Sequence, residues 1–319
     1  MKIVCDRNIP YLVEAVHSGW PDVKICPMES AEIDSSALRG ADVLVVRTRT
    51  RVNADLLEGT KVQLVCTATI GFDHIDTDYC KTHDIRWAAC PGCNSKAVCD
   101  YVEEAIRTIS NMPEFASSVL QIYKSSAPTI GIVGVGHVGS LVAERAEYNG
   151  MNVLLNDPPK GIGVSLDEIA QKCDIITFHT PLNPSTYHLC DAEFLSKTQP
   201  HALIINAARG GVVDEQALLE SGRPYVIDTW ENEPHINPEV AEHAQLASMH
   251  IAGYSVEGKV NASQMCLNNI AGKYGLPKLK IDVPTSHGDN QPGWLLRVTK
   301  VLQSHPEHFE ELRKAYFLR

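Results

Sequence analysis

Positive charge is in deficit in this chain. Lys and Arg number 28 against 39 Asp and Glu, a net charge of −11. That balance argues against general binding to nucleic acid or to an anionic membrane and leaves room only for local basic pockets. Long apolar runs are missing, and about 18 consecutive apolar residues would be needed to span a bilayer. The first residues, MKIVCD, carry no extended apolar segment, so no secretory signal is expected. Repeats of solenoid length and low-complexity tracts are absent too. Ten cysteines lie at irregular spacing and are expected to be reduced thiols of a cytoplasmic protein. Cys90-Pro-Gly-Cys93 has the spacing of half a zinc site, but no second CxxC or HxxxH completes it, so no metal is expected.

What is present is ordinary globular composition, 44% hydrophobic and 21% charged. A length of 319 residues favours two domains over one core. Short apolar, β-branched runs alternate with helical patterns. Strands are expected at 1–5, 42–46, 62–67, 129–135, 152–156, 175–179 and 202–206, with shorter ones at 225–228 and 249–251. Helical spacing marks 10–19, 53–57, 101–110, 140–148, 294–302 and 307–318. Such alternation predicts parallel α/β sheets with right-handed crossovers. It occurs twice, before about residue 95 and again from Thr129, with helical pattern between. From 281 onward the composition is that of a loop, followed by the amphipathic tail.

The sharpest local signal is IGIVGVGHVG at 130–139. It follows an apolar strand, opens a helical run and is followed by a second strand ending at Asp157, 18 residues beyond Gly139. In that context Gly134 permits a tight turn, Gly136 lets the backbone approach a pyrophosphate, and Gly139 lets helix and strand pack closely. The helix N-terminus offers N–H groups and a positive dipole to phosphate. Asp157 can accept from both ribose hydroxyls and would repel a 2′-phosphate, which predicts NAD rather than NADP.

Three later segments supply acid–base chemistry. In LIINAARGG (203–211), Arg209 follows the end of an apolar strand, where ligands of open α/β sheets bind. Its planar fork matches a carboxylate in two parallel hydrogen bonds. YVIDTWENEP (225–234) places acids beyond the next strand, and MHIAGY (249–254) offers a histidine followed by glycine. Removing a hydroxyl proton during hydride transfer suits a histidine, and a carboxylate on the other ring nitrogen would fix its tautomer. His250, Glu233 and Arg209 are thus the candidate base, orienter and carboxylate anchor. Spacing alone does not bring them together.

In chain order, GVGHVG, Asp157, HTPL (179–182), NAARGGVVD (206–214), DTWENEP (228–234) and HIAGY (250–254) resemble the D-isomer-specific 2-hydroxyacid dehydrogenases. A narrower set is similar to the subgroup that oxidises 4-phospho-D-erythronate: ATIGFDHID (68–76), ACPGCN (89–94), VCDYV (98–102), DPP (157–159), FHTP (178–181) and HIAGYSVEGK (250–259). The resemblance implies an NAD-dependent enzyme forming (R)-3-hydroxy-2-oxo-4-phosphobutanoate on the route to pyridoxal 5′-phosphate. It also implies a cytoplasmic homodimer that takes a small phosphorylated 2-hydroxy acid and has no nucleic-acid or membrane partner. The alternatives are a relative acting on phosphoglycerate or glycerate, or an NAD-sensing binding module.

The implied fold is α/β, with two Rossmann-like parallel-sheet domains, a cleft between them and a small C-terminal dimerisation segment. The implied boundaries are 1–95, completed by about 254–280, for substrate; 96–253 for NAD; and 281–319 for dimerisation. By residue matching, His137, Val138, Asp157, Thr180, Ala207, Asp228 and Gly253 contact NAD, and Thr48, Thr67 and Tyr254 contact substrate. Arg47, Arg49 and Arg51 crowd a loop of an otherwise acidic chain, and Arg47 or Arg49 is expected to help hold the phosphate. Arg313 or Arg319 is a candidate to reach a partner's site. The segment after Leu219 and the loop after Pro159 are shorter than the family usually shows.

Overall fold

A computed structural model describes residues 1–112, 127–283 and 293–316. Most of the loop-like stretch that begins at 281, the end of the tail and Arg319 lie outside the described residues. The chain divides into two compact units, Met1–Asn94 with Ser255–Ser286, and Ser95–Tyr254 with His287–Arg319.

The first unit holds a five-stranded sheet of β1 (Lys2–Asp6), β2 (Lys24–Met28), β3 (Val43–Val46), β4 (Leu64–Thr67) and β5 (Arg86–Ala88). Their order is β2-β1-β3-β4-β5, with every pairing parallel. β3 and β4 are buried throughout, because parallel strands are covered on both faces and read as unbroken apolar runs. One face packs Ile3, Leu12 and Trp20 against Cys266, Leu267 and Ile270 of the returning helix Val256–Tyr274. Ser255 starts that helix by accepting the Gly258 N–H at 2.9 Å, and Gly275, at φ 65°, ends it.

The second unit holds β6 (Thr129–Val133), β7 (Asn152–Asp157), β8 (Ile162–Gly163), β9 (Ile175–Phe178), β10 (Leu203–Asn206), β11 (Tyr225–Ile227) and β12 (Leu246–Ala247). The order is β12-β11-β10-β9-β6-β7-β8, parallel except for the β7–β8 pair. β6 lies between β7 and β9, so its carboxyl end is the topological switch point at which such sheets take ligands. The helix Ser95–Ser110 opens the unit, with Tyr101 fully buried in its core. The tail helix Trp294–Ser304 joins the same core through Leu295 and Leu302, and Phe309 of the helix Phe309–Ala315 is fully buried there. Thr299 Oγ1 accepts the Ala247 N–H at 3.0 Å, so this part of the tail belongs to its own unit.

Two sequence expectations are corrected. Residues 249–251 are not a strand; the strand is β12, three residues earlier, and His250 sits beyond it in a turn at φ 56°. The described part of the expected helix 307–318 is not one helix but a 3₁₀ turn, Pro306–His308, followed by Phe309–Ala315; 317 and 318 lie outside the described residues. Pro306 fits the first turn of the short element, where its missing N–H costs nothing.

Candidate active site

The glycine loop follows β6 directly. Gly134 has φ 94°, and a Cβ there would fall 2.8 Å from the His179 carbonyl carbon. A Cβ on Gly139 would fall 2.0 Å from the Gly134 oxygen, so only glycine lets the helix His137–Tyr148 pack this close. A Cβ on Gly136 would meet nothing within 4 Å, which marks open space at the helix N-terminus. Its N-cap residue, Gly136, offers no side chain to cap that terminus. His137 is exposed and Val138 half-buried at its start. Thr180, just beyond β9, has a buried hydroxyl without a hydrogen-bond partner among the described residues. His179 beside it donates to or accepts from Thr177 Oγ1 at 3.0 Å, and burial pushes its imidazole down to about 4, so it is neutral at neutral pH. Asp157 ends β7, and its Oδ2 accepts the Val135 N–H at 2.9 Å.

The acid–base pair is formed. His250 Nδ1 lies 2.8 Å from Glu233 Oε2 and 3.1 Å from Oε1. Glu233 Oε1 also accepts the Trp230 N–H at 2.9 Å. Burial acts to raise the Glu233 carboxyl, but the His250 hydrogen bond and charge, the Trp230 N–H and the nearby Arg313 together hold it below the usual carboxylate range. With the proton on Nδ1, Nε2 of His250 is left to accept another.

Asp228 holds this histidine in place. It is buried, and its Oδ1 accepts from Ser248 Oγ at 2.6 Å and the Ile251 N–H at 2.7 Å, while Oδ2 accepts the Ala252 N–H at 3.0 Å. The left-handed turn at His250 is therefore clamped by one carboxylate. The Asp228 carbonyl accepts the His250 N–H at 2.8 Å. Gly253 follows, half-buried. Tyr254 then accepts from Arg313 Nε at 2.9 Å through its hydroxyl, with the guanidinium 5.7 Å from the ring centroid.

Arg209 is half-buried, and its Nη1 donates to the Ala208 carbonyl at 2.7 Å. Its loop abuts the segment that carries Glu233, since a Cβ on Gly210 would fall 1.9 Å from the Trp230 oxygen. Ala207 is buried at the foot of the same loop. Neighbouring acids tie these loops further. Glu215 Oε1 accepts the Glu231 N–H at 2.7 Å, and Glu231 pairs with His188 Nε2. Burial, with Glu231, Glu233 and Asp214 nearby, pushes the Glu215 carboxyl up to about 7 against the effect of that N–H. Glu215, His188 and Arg313 carry no motif of their own; VVDE and the tail pattern are the only sequence traces of them.

In the first unit, Thr48 and Arg49 are exposed on the turn after β3. Arg47 is not a free cation, since its Nε pairs with the buried Asp6 at 3.2 Å. Thr67 ends β4 fully buried, its hydroxyl 2.5 Å from Thr69 Oγ1 and 3.0 Å from His74 Nε2.

Residues 100–252 match the family model described as D-isomer specific 2-hydroxyacid dehydrogenase, NAD binding domain. A relative from Bacteroides thetaiotaomicron, named erythronate-4-phosphate dehydrogenase, is 40% identical over 100% of this chain and 97% of its own length. The chain belongs to the D-isomer-specific 2-hydroxyacid dehydrogenase family. A relative of the same name from Bacteroides fragilis is also 40% identical, over 100% and 97% of the two chains. Among solved structures, the D-lactate dehydrogenase of Aquifex aeolicus, complexed with NAD and lactic acid, aligns with a TM-score of 0.67 at 23% identity. It covers 86% of this chain and 96% of its own, and its likeness bears on the fold.

As a member of this dehydrogenase family the chain takes NAD in its second unit, and the residues there fit that cofactor. A Cβ on Gly136 would have open space around it, the helix starts at a glycine that offers no side-chain cap, and among the described residues the Thr180 hydroxyl has no partner, an arrangement suited to a diphosphate. Among the described residues no helix is long and apolar enough to cross a membrane.

Proposed function

We propose that the chain oxidises 4-phospho-D-erythronate at C2 to (R)-3-hydroxy-2-oxo-4-phosphobutanoate, a step towards pyridoxal 5′-phosphate. The observation that carries the chemistry is the His250–Glu233 pair at 2.8 Å. The substrate rests on likeness over the whole chain to relatives named for that reaction. Bound NAD supplies the hydride acceptor. His250 Nε2 takes the C2 hydroxyl proton, and Glu233 stabilises the imidazolium that forms and keeps the ring oriented. Arg209 turns from its backbone carbonyl to grip the substrate carboxylate in bidentate fashion. Thr48, Thr67 and Tyr254 contact substrate, and Arg47 or Arg49 holds the phosphate; Arg47 does so with Asp6 as its counter-charge. His137, Val138, Thr180, Ala207, Asp228 and Gly253 line the cofactor site, Asp228 through the backbone it fixes.

In this reading the first unit binds substrate and the second binds NAD. The protein works as a cytoplasmic homodimer with a contribution from the tail segment 281–319. Ten free thiols support the compartment. The test is NADH absorbance with 4-phospho-D-erythronate, set against 3-phospho-D-glycerate and D-glycerate, with a 2-oxo acid added to reoxidise retained cofactor. Preference for phosphoerythronate is expected. Turnover of the other two alone would keep the family and overturn the substrate.

A further inference from the structure

The 3₁₀ turn Pro158–Lys160 leaves β7 and carries a cation back to the acid that ends that strand. Lys160 Nζ lies 3.4 Å from Asp157 Oδ2 and donates to the Val135 carbonyl at 2.6 Å. The Val135 N–H in turn donates to the same Asp157 oxygen. Val135, Asp157 and Lys160 therefore close a ring that joins the glycine loop to the end of β7. Among the described residues, Asp157 Oδ1 has no hydrogen bond, and it is the oxygen left for a ribose hydroxyl. The lysine side chain is half exposed and long enough to swing, whereas the Asp157 side chain is 11% exposed and held.

Two opposite charges thus stand where an adenine ribose would present its 2′ position. A carboxylate accepts from a hydroxyl and repels a phosphate, and an ammonium does the reverse. We propose that Lys160 is a specificity-determining residue of the cofactor site, one that half-neutralises Asp157 and stands ready to take a 2′-phosphate. Discrimination against NADP then rests on the Asp157 carboxylate alone and works against a cation already in place. The inference depends on the reading that Asp157 faces the ribose.

Binding is the readout, by fluorescence titration of the intact protein with NADH and with NADPH. Asp157→Ser should weaken NADH and strengthen NADPH, each by about tenfold, equivalent to ~1.4 kcal/mol. Lys160→Ala should weaken NADPH relative to NADH by a similar factor. The double variant Asp157→Ser/Lys160→Ala should lose the NADPH gain. If the double variant keeps that gain, or if Lys160→Ala weakens both nucleotides alike, the proposal is overturned and Lys160 only ties the loop. If Asp157→Ser leaves both affinities unchanged, the ribose reading itself fails and the proposal falls with it. Adenosine 2′,5′-bisphosphate, used as a competitor, separates 2′-phosphate recognition from effects at the nicotinamide end. A thermal melt of each variant shows that it is folded.

Discussion

His250 can accept a proton at Nε2 only while Nδ1 keeps its own, and Glu233 enforces that arrangement at 2.8 Å. His250→Ala is expected to lower kcat by about 10²–10⁴-fold, the usual range for general acid–base catalysis. Glu233→Gln should approach the same loss for a different reason. Its amide can still accept the Trp230 N–H, but its NH₂ would then face Nδ1 and draw the ring proton to Nε2. Steady-state kinetics with NADH titrated in parallel would show kcat falling while cofactor affinity holds; equal turnover in both variants and the parent would remove the pair from the mechanism. Glu215 predicts a pH effect on stability. Its carboxyl titrates at about 7 in the fold, above the ~4.3 of an unfolded glutamate. The protonated form is therefore favoured by folding, and the stability it adds is complete below about 4.3 and lost as pH rises through 7. Glu215→Gln keeps an acceptor for the Glu231 N–H and has no proton to lose. Between pH 5 and pH 8 it should gain on the parent by about 1–3 kcal/mol in urea unfolding; a constant difference across that range would contradict the shift. The sequence offered His250, Glu233 and Arg209 because each sits in a distinctive motif beyond an apolar strand. Glu215 and Lys160 were not legible as site residues, because their contacts with the Glu231 N–H and the Val135 carbonyl span 16 and 25 residues; Arg313 was read only as a residue reaching a partner's site, and its contact with Tyr254 of its own chain spans 59.

Elements were legible where one physical signal ruled and obscure where two competed. β3, β4, β9 and β10 are buried at every position and mostly apolar, with Thr67, Thr177 and Asn206 the only polar residues in them, and the sequence shows them plainly. β2 and β5 are edge strands with exposed positions, one containing Pro27 and one only three residues long, so they pass for loop. β12 was displaced because Met249 and Ile251 are as buried as a strand, although the Asp228 clamp and not a ladder places them. The glycine loop allows a sharper test, since its glycines are needed for different reasons. Gly139→Ala would drive a methyl to 2.0 Å from a backbone oxygen, and should cost about 1–3 kcal/mol as the helix is forced off the strand. Gly136→Ala meets no protein atom, so the fold should melt within about 0.5 kcal/mol of the parent, as at an open site. On the proposed reading its methyl enters the diphosphate's space, and NADH binding should fall by tenfold or more, about 1.4 kcal/mol. Thermal melts should therefore place Gly139→Ala below Gly136→Ala in stability, and NADH titration should show the binding loss in Gly136→Ala; if Gly136→Ala binds NADH normally, the diphosphate does not lie there.

Across the whole molecule the buried side chains form separate clusters. One holds Ile130, Phe178, Ile205, Leu295 and Phe309 of the second unit, and two others hold the apolar residues of the first. The sequence anticipated two α/β sections, but not that the described tail packs into the core of the second, because an amphipathic helix does not name its partner. Separate cores predict separate responses to cofactor. A ligand that binds the native second unit stabilises it by RT ln(1 + [L]/Kd), about 2.7 kcal/mol at a hundredfold excess over Kd. Hydrogen exchange at moderate urea, read peptide by peptide, should show NADH slowing exchange in β6, β9, β10 and the helix Trp294–Ser304. Peptides from β1, β3 and β4 should keep their rates, because nothing in their own core changes. Protection rising equally in both sets would mean that the clusters open as one cooperative unit, and the tail would then stabilise the whole chain. Protection confined to β6 and β9 would mean the opposite, with the tail detaching before the nucleotide-binding strands. Phe309→Ala sharpens the distinction. Removing a fully buried phenyl ring should cost about 3–5 kcal/mol, and if the cores are separate that loss is borne by β6, β9 and β10 while β1, β3 and β4 exchange as before.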